Sequence, residues 1–138
     1  MDIAASRKFL ENSINRLREV APQLGIANSD VVQKDGEIYV LIRSRTYGRN
    51  FTLRASVDNA YPENPADYAF VNPENWQDSN VAHWPNDGGQ AFKLENPPWI
   101  CMAGTRAWVQ HNHPNPGFQT NLIENVVFSV FSKLNKVT

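Results

Sequence analysis

Cys101 is the single cysteine among the 138 residues of this chain. One thiol cannot form an internal disulfide bond, so the sequence excludes a small fold that disulfide bonds hold together. The paired cysteines of the common structural zinc sites are missing for the same reason. A lone thiol suits a reducing compartment, and its chemical role becomes the first question about this sequence.

Features of several functional classes are missing as well. Basic and acidic side chains nearly balance at 13 and 14, which disfavours the clustered positive charge of a nucleic-acid-binding surface. No run of about 18 apolar residues is present, so no membrane span is expected. The first residues lack a cationic stretch followed by an apolar one, so we expect no secretory signal and a cytoplasmic protein. Glycine-rich nucleotide loops and the Gly-x-Ser-x-Gly turn are absent, and no cofactor is expected.

The residues that are present indicate one globular domain, in which one helix precedes the strands of a sheet in the sequence and another follows them. Hydrophobic residues make up 41% of the chain and charged residues 20%. A helix is predicted over residues 3–24, because apolar side chains recur there at helical spacing; they are Leu10, Ile14, Leu17, Ala21 and Leu24. A second helix is predicted over residues 121–135, with Thr120 or Asn121 as its cap. Its apolar face would consist of Ile123, Val127, Val130, Phe131 and Leu134.

The pattern between these helices predicts antiparallel strands. Residues 38–42 form an apolar run, residues 45–50 read as a hairpin loop, and residues 51–57 alternate between apolar and polar side chains. This alternation predicts a sheet with one buried face and one solvated face. A further strand is predicted over residues 68–71, and the proline-rich range 72–98 is interpreted as a long loop. The order of elements predicts an α+β fold with a meander sheet.

Nucleophilic chemistry is possible in the residues that follow the long loop. The thiolate of Cys101 would be a good nucleophile at neutral pH, although many free cysteines are buried and inert. His111 and His113 follow in a polar stretch, where an imidazole could deprotonate an attacking amine or orient an acyl carbonyl. Asn86 could donate a hydrogen bond to a developing oxyanion, or it could only shape a turn. A zinc site of Cys101, His83, His111 and His113 would lack paired cysteines, so no metal is expected.

Four groups of residues follow one another in an order that resembles a known family. They are Phe51 to Val57, Tyr61-Pro62 with Pro65 and Phe70, His83-Trp84-Pro85-Asn86, and Gly89 with Ile100-Cys101-Met102 and Trp108. In this order they resemble a strand, the Tyr-Pro signature, the His-Pro-Asn motif and the active cysteine region of the ubiquitin-conjugating enzyme (E2) superfamily. The divergent bacterial members are the most similar. The resemblance extends over most of the chain, and an insertion separates Asn86 from Cys101.

The resemblance implies a UBC-like fold as a single domain over residues 1–138. Such a fold has an N-terminal helix, a four-stranded antiparallel meander sheet, a long active-site loop and a C-terminal helix. The resemblance further implies that Cys101 carries a ubiquitin-like protein as a thioester, which a target amine then attacks. His113 or His111 would assist this transfer, because some divergent members place a histidine after the cysteine, and Asn86 would have a secondary role.

Partners are implied by the same resemblance. An E1-like enzyme would deliver the ubiquitin-like protein, and a target protein would receive it. The E1-like enzyme would dock on the first helix, where Arg7, Lys8 and Arg16 are the predicted contacts, although an amphipathic helix that only packs on the sheet would show the same pattern. Some bacterial relatives belong to antiphage defence operons, which suggests that setting for this chain.

Two other functions stay open. A binding-only variant of the fold would hold a ubiquitin-like protein without catalysis, but such variants typically lack the cysteine that this chain keeps. A small cysteine hydrolase would pair Cys101 with His113, and it would cleave a peptide or isopeptide bond without any E1-like enzyme.

Overall fold

The computed structural model describes residues 2–24, 30–34, 36–45, 48–71, 92–93, 99–100 and 102–135. Within these ranges the chain has an α+β architecture, in which an N-terminal helix precedes a four-stranded antiparallel sheet and further helices follow it. The predicted fold class is therefore confirmed at this level. None of the helices in the described ranges is both long enough and apolar enough to cross a membrane.

The first helix, α1, spans Ile3–Val20 and begins at Asp2, whose carboxylate accepts a hydrogen bond from the Ala5 amide at 2.7 Å. Its buried face contains Ile14 and Leu17, as the periodicity predicts, together with two serines. The predicted end at residue 24 is only partly right, because Ala21–Leu24 form a 3₁₀ turn. Pro22 has no N–H to donate to the fourth preceding carbonyl, which explains why the α-helix does not continue.

The sheet consists of four strands in sequential order, β1 at Val31–Lys34, β2 at Glu37–Ser44, β3 at Arg49–Ser56 and β4 at Asp67–Val71. Each neighbouring pair is antiparallel, which confirms the meander. The strand predictions for residues 38–42, 51–57 and 68–71 fall on β2, β3 and β4. The periodicity did not predict β1, because a strand of four residues with two apolar side chains gives almost no pattern.

One face of the sheet packs against α1 and the last helix. Val40, Leu53 and Phe70 lie side by side on this face, with register pairs Val40 to Leu53 and Leu53 to Phe70. The opposite face is less solvated than the alternation in β3 predicts. Thr52 is buried there and lies opposite Val71, which is also buried, so the prediction of a fully wet face is wrong at this end of the sheet.

In the part of the chain that the structure describes, three helices follow the sheet, α2 at Arg106–Gln110, α3 at Phe118–Asn121 and α4 at Ile123–Leu134. The predicted apolar face of α4 is confirmed, with four of its five members buried; they are Ile123, Val127, Val130 and Leu134. The predicted cap is wrong, because Leu122 occupies the N-cap position and makes no side-chain hydrogen bond.

The range 72–98 is described at Phe92–Lys93 only, where the backbone forms a short strand, β5. It pairs antiparallel with β6 at Trp99–Ile100, which lies beside β4. The interpretation of residues 72–98 as an uninterrupted loop is therefore wrong at Phe92–Lys93. The rest of that prediction lies outside the described residues.

Candidate functional site

The predicted nucleophile Cys101, the predicted oxyanion donor Asn86 and His83 lie outside the described residues. The described part of the candidate site begins at Met102, the residue that follows Cys101. Residues 102–121 connect this point to α4, and we call them the anchored segment, because several hydrogen bonds attach them to the rest of the fold.

A turn around Thr105 opens the anchored segment. The Thr105 hydroxyl donates to the Met102 carbonyl at 2.8 Å and accepts from the Met102 amide at 3.3 Å. The same oxygen accepts from the Trp108 amide at 3.2 Å, so Thr105 is the N-cap of α2. One hydroxyl therefore joins the residue next to Cys101 to the first turn of this helix, and it is buried where it does so.

The turn is wedged between the sheet and the last two helices. The Arg106 amide donates to the Ala66 carbonyl at 2.9 Å, beside a bridge between Ala66 and Thr105. On the other side Gly104 has a φ of +99°, and a Cβ there would stand 2.3 Å from the Thr120 carbonyl oxygen. Only glycine fits this conformation and this close approach, so the backbone after Cys101 has a fixed course.

His113 lies flat against the indole ring of Trp108. The ring centroids are 3.8 Å apart and the planes differ by 15°. The chain reverses at Asn112, whose positive φ of 67° is a conformation that asparagine tolerates better than most residues. The His113 amide then donates to the Trp108 carbonyl at 3.3 Å, so the backbone and the ring of His113 contact the same residue.

His111 has a different role in the same turn. It occupies the C-cap position of α2, and its amide donates to the Ala107 carbonyl at 3.0 Å. Its side chain is exposed, as is that of His113. The structure thus brings both predicted histidines into the anchored segment, and it gives the ring of His113 a defined stacking partner.

Two asparagines hold the chain after His113. Asn115 donates to the Glu63 carbonyl at 3.0 Å and accepts from the Gly117 amide at 2.9 Å. The fully buried Asn121 donates to both Asn115 Oδ1 and the Pro62 carbonyl, each at 2.9 Å. These bonds attach the anchored segment to the Tyr61-Pro62 motif, and this structural role is independent of any family resemblance.

Tyr61 lies at the centre of the fold beneath this attachment. Its hydroxyl oxygen lies 2.6 Å from Ser13 Oγ and accepts from the Ile123 amide at 2.9 Å. Tyr61 therefore performs the capping of α4 that the sequence assigns to Thr120 or Asn121. Burial raises the pKa of Tyr61 to about 12, against the opposing effect of these hydrogen bonds.

Tyr68 is a second buried tyrosine, and it lies in the same hydrophobic core. Burial raises its pKa well above the usual value of 10, and the neighbouring Tyr61 and Glu124 act in the same direction. Within the described part of the chain its hydroxyl has no hydrogen-bond partner. The two tyrosines thus share a burial cost, and among the described residues only Tyr61 has hydrogen-bond partners that offset it.

The predicted docking residues Arg7, Lys8 and Arg16 are all exposed on α1, but they do not form one compact face. Arg7 lines a cavity of about 500 Å³ between α1 and the sheet edge, together with Val57. Arg16 lines a cavity of about 240 Å³ against α3 and α4. Nine residues are about two and a half helical turns, which puts the two arginines on opposite flanks.

A scan against models of protein families finds no match, and a search of curated proteins also finds none. Among the described residues no three histidine, aspartate or glutamate side chains lie close enough together to hold a metal ion.

Sequence reasoning missed Thr105, Asn115 and Asn121 as the residues that organise the site. Thr105 had a usable signal, because a threonine three residues before Trp108 at the start of a short helix is a typical N-cap. The asparagines had none, since their partners lie 52 and 59 residues away in the sequence.

Proposed function

We propose that this protein is an E2-like conjugating enzyme with a UBC-like fold. It would accept a ubiquitin-like protein from an E1-like enzyme as a thioester on Cys101 and transfer it to a target amine. The α+β architecture supports this proposal, because α1, a four-stranded meander and α4 follow one another in the order that the resemblance implies. We further propose a single domain and a role in the bacterial cytoplasm, in antiphage defence.

One observation carries the proposal furthest. The Thr105 hydroxyl bonds to both Met102 and Trp108, and the His113 ring stacks on Trp108. A short series of direct contacts thus leads from the residue after Cys101 to an exposed imidazole. Acyl transfer needs a nucleophile and a proton acceptor that are held in a fixed relation, and these contacts support such an arrangement.

The transfer step makes clear demands on these groups. The amine nitrogen attacks the thioester carbonyl carbon, the new C–N bond forms, and the C–S bond breaks with its electron pair leaving on the Cys101 sulfur. Lysine amines are charged at neutral pH, so the amine loses one proton to solvent before it can attack. Its second proton passes to a histidine, either His113 or His111, as the C–N bond forms. Asn86 is proposed to stabilise the oxyanion, in a secondary role.

Docking of the E1-like enzyme on α1 is part of the same proposal. Lys8 lies between the flanks that carry Arg7 and Arg16, so a partner that contacts all three must cover the whole exposed side of the helix. The three positive charges would favour an acidic surface on the E1-like enzyme.

The test is formation of a covalent adduct with an E1-like enzyme, ATP and a ubiquitin-like protein that ends in glycine. The wild type should form an adduct that reducing agent removes, because a thioester is cleaved by thiols. Cys101→Ser should form an ester that resists the reducing agent, and Cys101→Ala should form none. Reversible binding without an adduct would instead support a binding module, and cleavage of a modifier fusion without an E1-like enzyme would support a hydrolase.

A further inference from the structure

The β2–β3 hairpin extends beyond the rest of the sheet at one end. β1 pairs with β2 only as far as Val40, and β4 pairs with β3 only from Thr52 onwards. The register pairs beyond both neighbours are Ile42 with Phe51, Arg43 with Asn50 and Ser44 with Arg49. We call residues 42–45 and 49–51 the ribbon, because two strands continue there with no described strand on either side.

Charge is distributed unevenly between the two ends of the sheet. Residues 38–57 contain no aspartate or glutamate, and neither do residues 125–138, which include most of α4. Acidic residues lie instead at the other end of the sheet and in the connection from β3 to β4; they are Glu37, Asp58, Glu63 and Asp67. The near-balance of charge over the whole chain predicts no nucleic-acid-binding surface, but the structure shows a local excess of positive charge at the ribbon.

Two arginines of the ribbon are exposed. Side chains alternate along a strand, and Ser44 faces α4, so Arg43 projects from the opposite face. Arg45 follows the end of β2 and is exposed as well. Among the described residues neither guanidinium has an ion-pair partner, whereas Arg54 pairs with Glu37 at 3.5 Å. The ribbon therefore presents two positive charges that no described acidic side chain neutralises.

The end of α4 holds the backbone of these arginines in place. The Asn135 side chain accepts from the Arg45 amide at 2.8 Å and donates to the Arg43 carbonyl at 2.9 Å. The buried Ser44 hydroxyl donates to the Leu134 carbonyl. Because this backbone is already bound to α4, binding of a ligand removes less conformational entropy than it would from a free loop.

We propose that the ribbon binds the phosphate backbone of duplex DNA. Arginine suits this ligand because its guanidinium group is always charged and bonds phosphate oxygens in pairs. Arg49, opposite Ser44 in the register, adds a third positive charge. The exposed Asn50 lies opposite Arg43 and therefore adds a polar group on the same face. Such binding is independent of acyl transfer at Cys101.

The shape of the ribbon favours duplex DNA over duplex RNA. The major groove of B-form DNA is about 12 Å wide and admits a two-stranded ribbon, whereas the major groove of A-form RNA is too deep and narrow for side chains to read. Each phosphate that an arginine neutralises releases counterions, so the logarithm of the binding constant falls with the logarithm of the salt concentration by about 0.9 per contact. Three arginines predict a slope of about −3 and a dissociation constant of about 1 to 100 μM.

Fluorescence anisotropy of a short labelled DNA duplex, titrated with the full chain between about 50 and about 200 mM KCl, measures both quantities. Arg43→Gln combined with Arg45→Gln should weaken binding at about 50 mM KCl by at least about tenfold and make the slope shallower by about 2. Arg43→Lys combined with Arg45→Lys should keep most of the affinity, because lysine binds phosphate as a point charge.

Arg18→Gln combined with Lys34→Gln is the matched control, because it removes two positive charges from exposed side chains outside the ribbon. Its affinity should stay within about threefold of the wild type, since salt screens charges that do not contact the DNA. Unlabelled RNA duplex and polyglutamate serve as competitors, and unlabelled DNA should displace the labelled duplex at a lower concentration than either of them.

Four results would overturn the proposal. They are an absence of saturable binding by the wild type at about 50 mM KCl, equal weakening in the two glutamine pairs, stronger displacement by RNA duplex, and stronger displacement by polyglutamate. The second would show that only net charge matters, and the last would indicate an acidic protein surface as the partner. If circular dichroism shows that Arg43→Gln with Arg45→Gln does not fold, the two single variants decide, each with an expected loss of about 0.9 in the slope.

Discussion

The layer between the sheet and helices α1 and α4 differs from the anchored segment in what holds it together. Leu17, Leu53 and Val127 are representative of the layer, where apolar side chains at most 2% exposed pack against one another. Thr105, Asn115 and Asn121 are representative of the anchored segment, which side-chain hydrogen bonds to backbone groups hold together. The first region depends on area removed from water, and the second on directional bonds.

This difference teaches how one small fold can be stable and still place a side chain accurately. Apolar packing fixes which elements lie together, but volume-conserving changes within it are tolerated. Hydrogen bonds to backbone carbonyls constrain the course of an exposed turn, because they depend on both distance and direction. The stacked pair of Trp108 and His113 stands on the second kind of support, so it can be disturbed without unfolding the first region.

The largest expected effect is at Gly104, where the two regions meet. Gly104→Ala would place a Cβ 2.3 Å from the Thr120 carbonyl oxygen and 2.9 Å from Val126 Cγ2. Gly117→Ala is the matched control, because Gly117 has nearly the same φ, +100°, and a Cβ built there would meet no atom of the described residues within 4 Å beyond its own chain neighbours. We expect Gly104→Ala to lower the free energy of unfolding by at least about 2 kcal/mol more than Gly117→Ala in urea titrations. Equal losses would mean that backbone conformation alone matters at both sites.

Tyr61 and Tyr68 sharpen the comparison within the buried layer. Tyr61→Phe should lower the free energy of unfolding by about 1–3 kcal/mol, because the Ile123 amide loses its acceptor and Ser13 loses its partner. Tyr68→Phe should be neutral or slightly stabilising, because within the described residues the Tyr68 hydroxyl has no partner. Chemical denaturation of both variants measures this, and a loss at Tyr68 as large as at Tyr61 would contradict the assignment.

Alkaline pH provides a third measurement on the same layer. The pKa of Tyr61 is about 12 in the fold, against 10 for an ordinary tyrosine. Its contribution is therefore complete below pH 10 and is lost as pH rises towards 12, since the unfolded chain ionises first. Ionisation of Tyr61 should therefore lower the free energy of unfolding by on the order of 2 kcal/mol between pH 10 and pH 12. Tyr61→Phe has no hydroxyl to ionise at this position, so the difference in the free energy of unfolding between wild type and variant should narrow from pH 9 to pH 12. A constant difference would show that Tyr61 ionises normally.

The smallest expected effect lies in the anchored segment. Asn115→Ala removes the acceptor for the Gly117 amide and for the Asn121 side chain, and it removes the donor to the Glu63 carbonyl. Because Asn115 is exposed, we expect a loss of only about 1 kcal/mol in the free energy of unfolding. Amide hydrogen exchange at Gly117 should nevertheless become much faster, while exchange in α4 changes little. Faster exchange throughout α4 would show that the two regions are not separable.

The sequence predicted those elements whose pattern is long enough to repeat. The apolar periodicity of α1 and α4 spans three or more turns, and the alternation in β3 spans most of that strand, so these elements were found. The cap of α4 was not predicted, because the Ile123 amide donates to the hydroxyl of Tyr61, which lies 62 residues earlier in the sequence.

The candidate site shows the same limit. The sequence shows two histidines shortly after one cysteine, but it does not show that the ring of His113 stacks on Trp108. The stack on Trp108 depends on a reversal at Asn112 and on attachment of Asn115 to Glu63. The attachment of Asn115 does not follow from local propensity, since it depends on where the Glu63 carbonyl lies, 52 residues away.

The Tyr61 hydroxyl also has a consequence for how the molecule opens. It binds Ser13 on α1, 48 residues before it, and Ile123 on α4, 62 residues after it. Detachment of either helix breaks one of the two hydrogen bonds that the buried Tyr61 hydroxyl makes. We therefore expect α1 and α4 to exchange their amide hydrogens as one cooperative unit, with a single opening free energy.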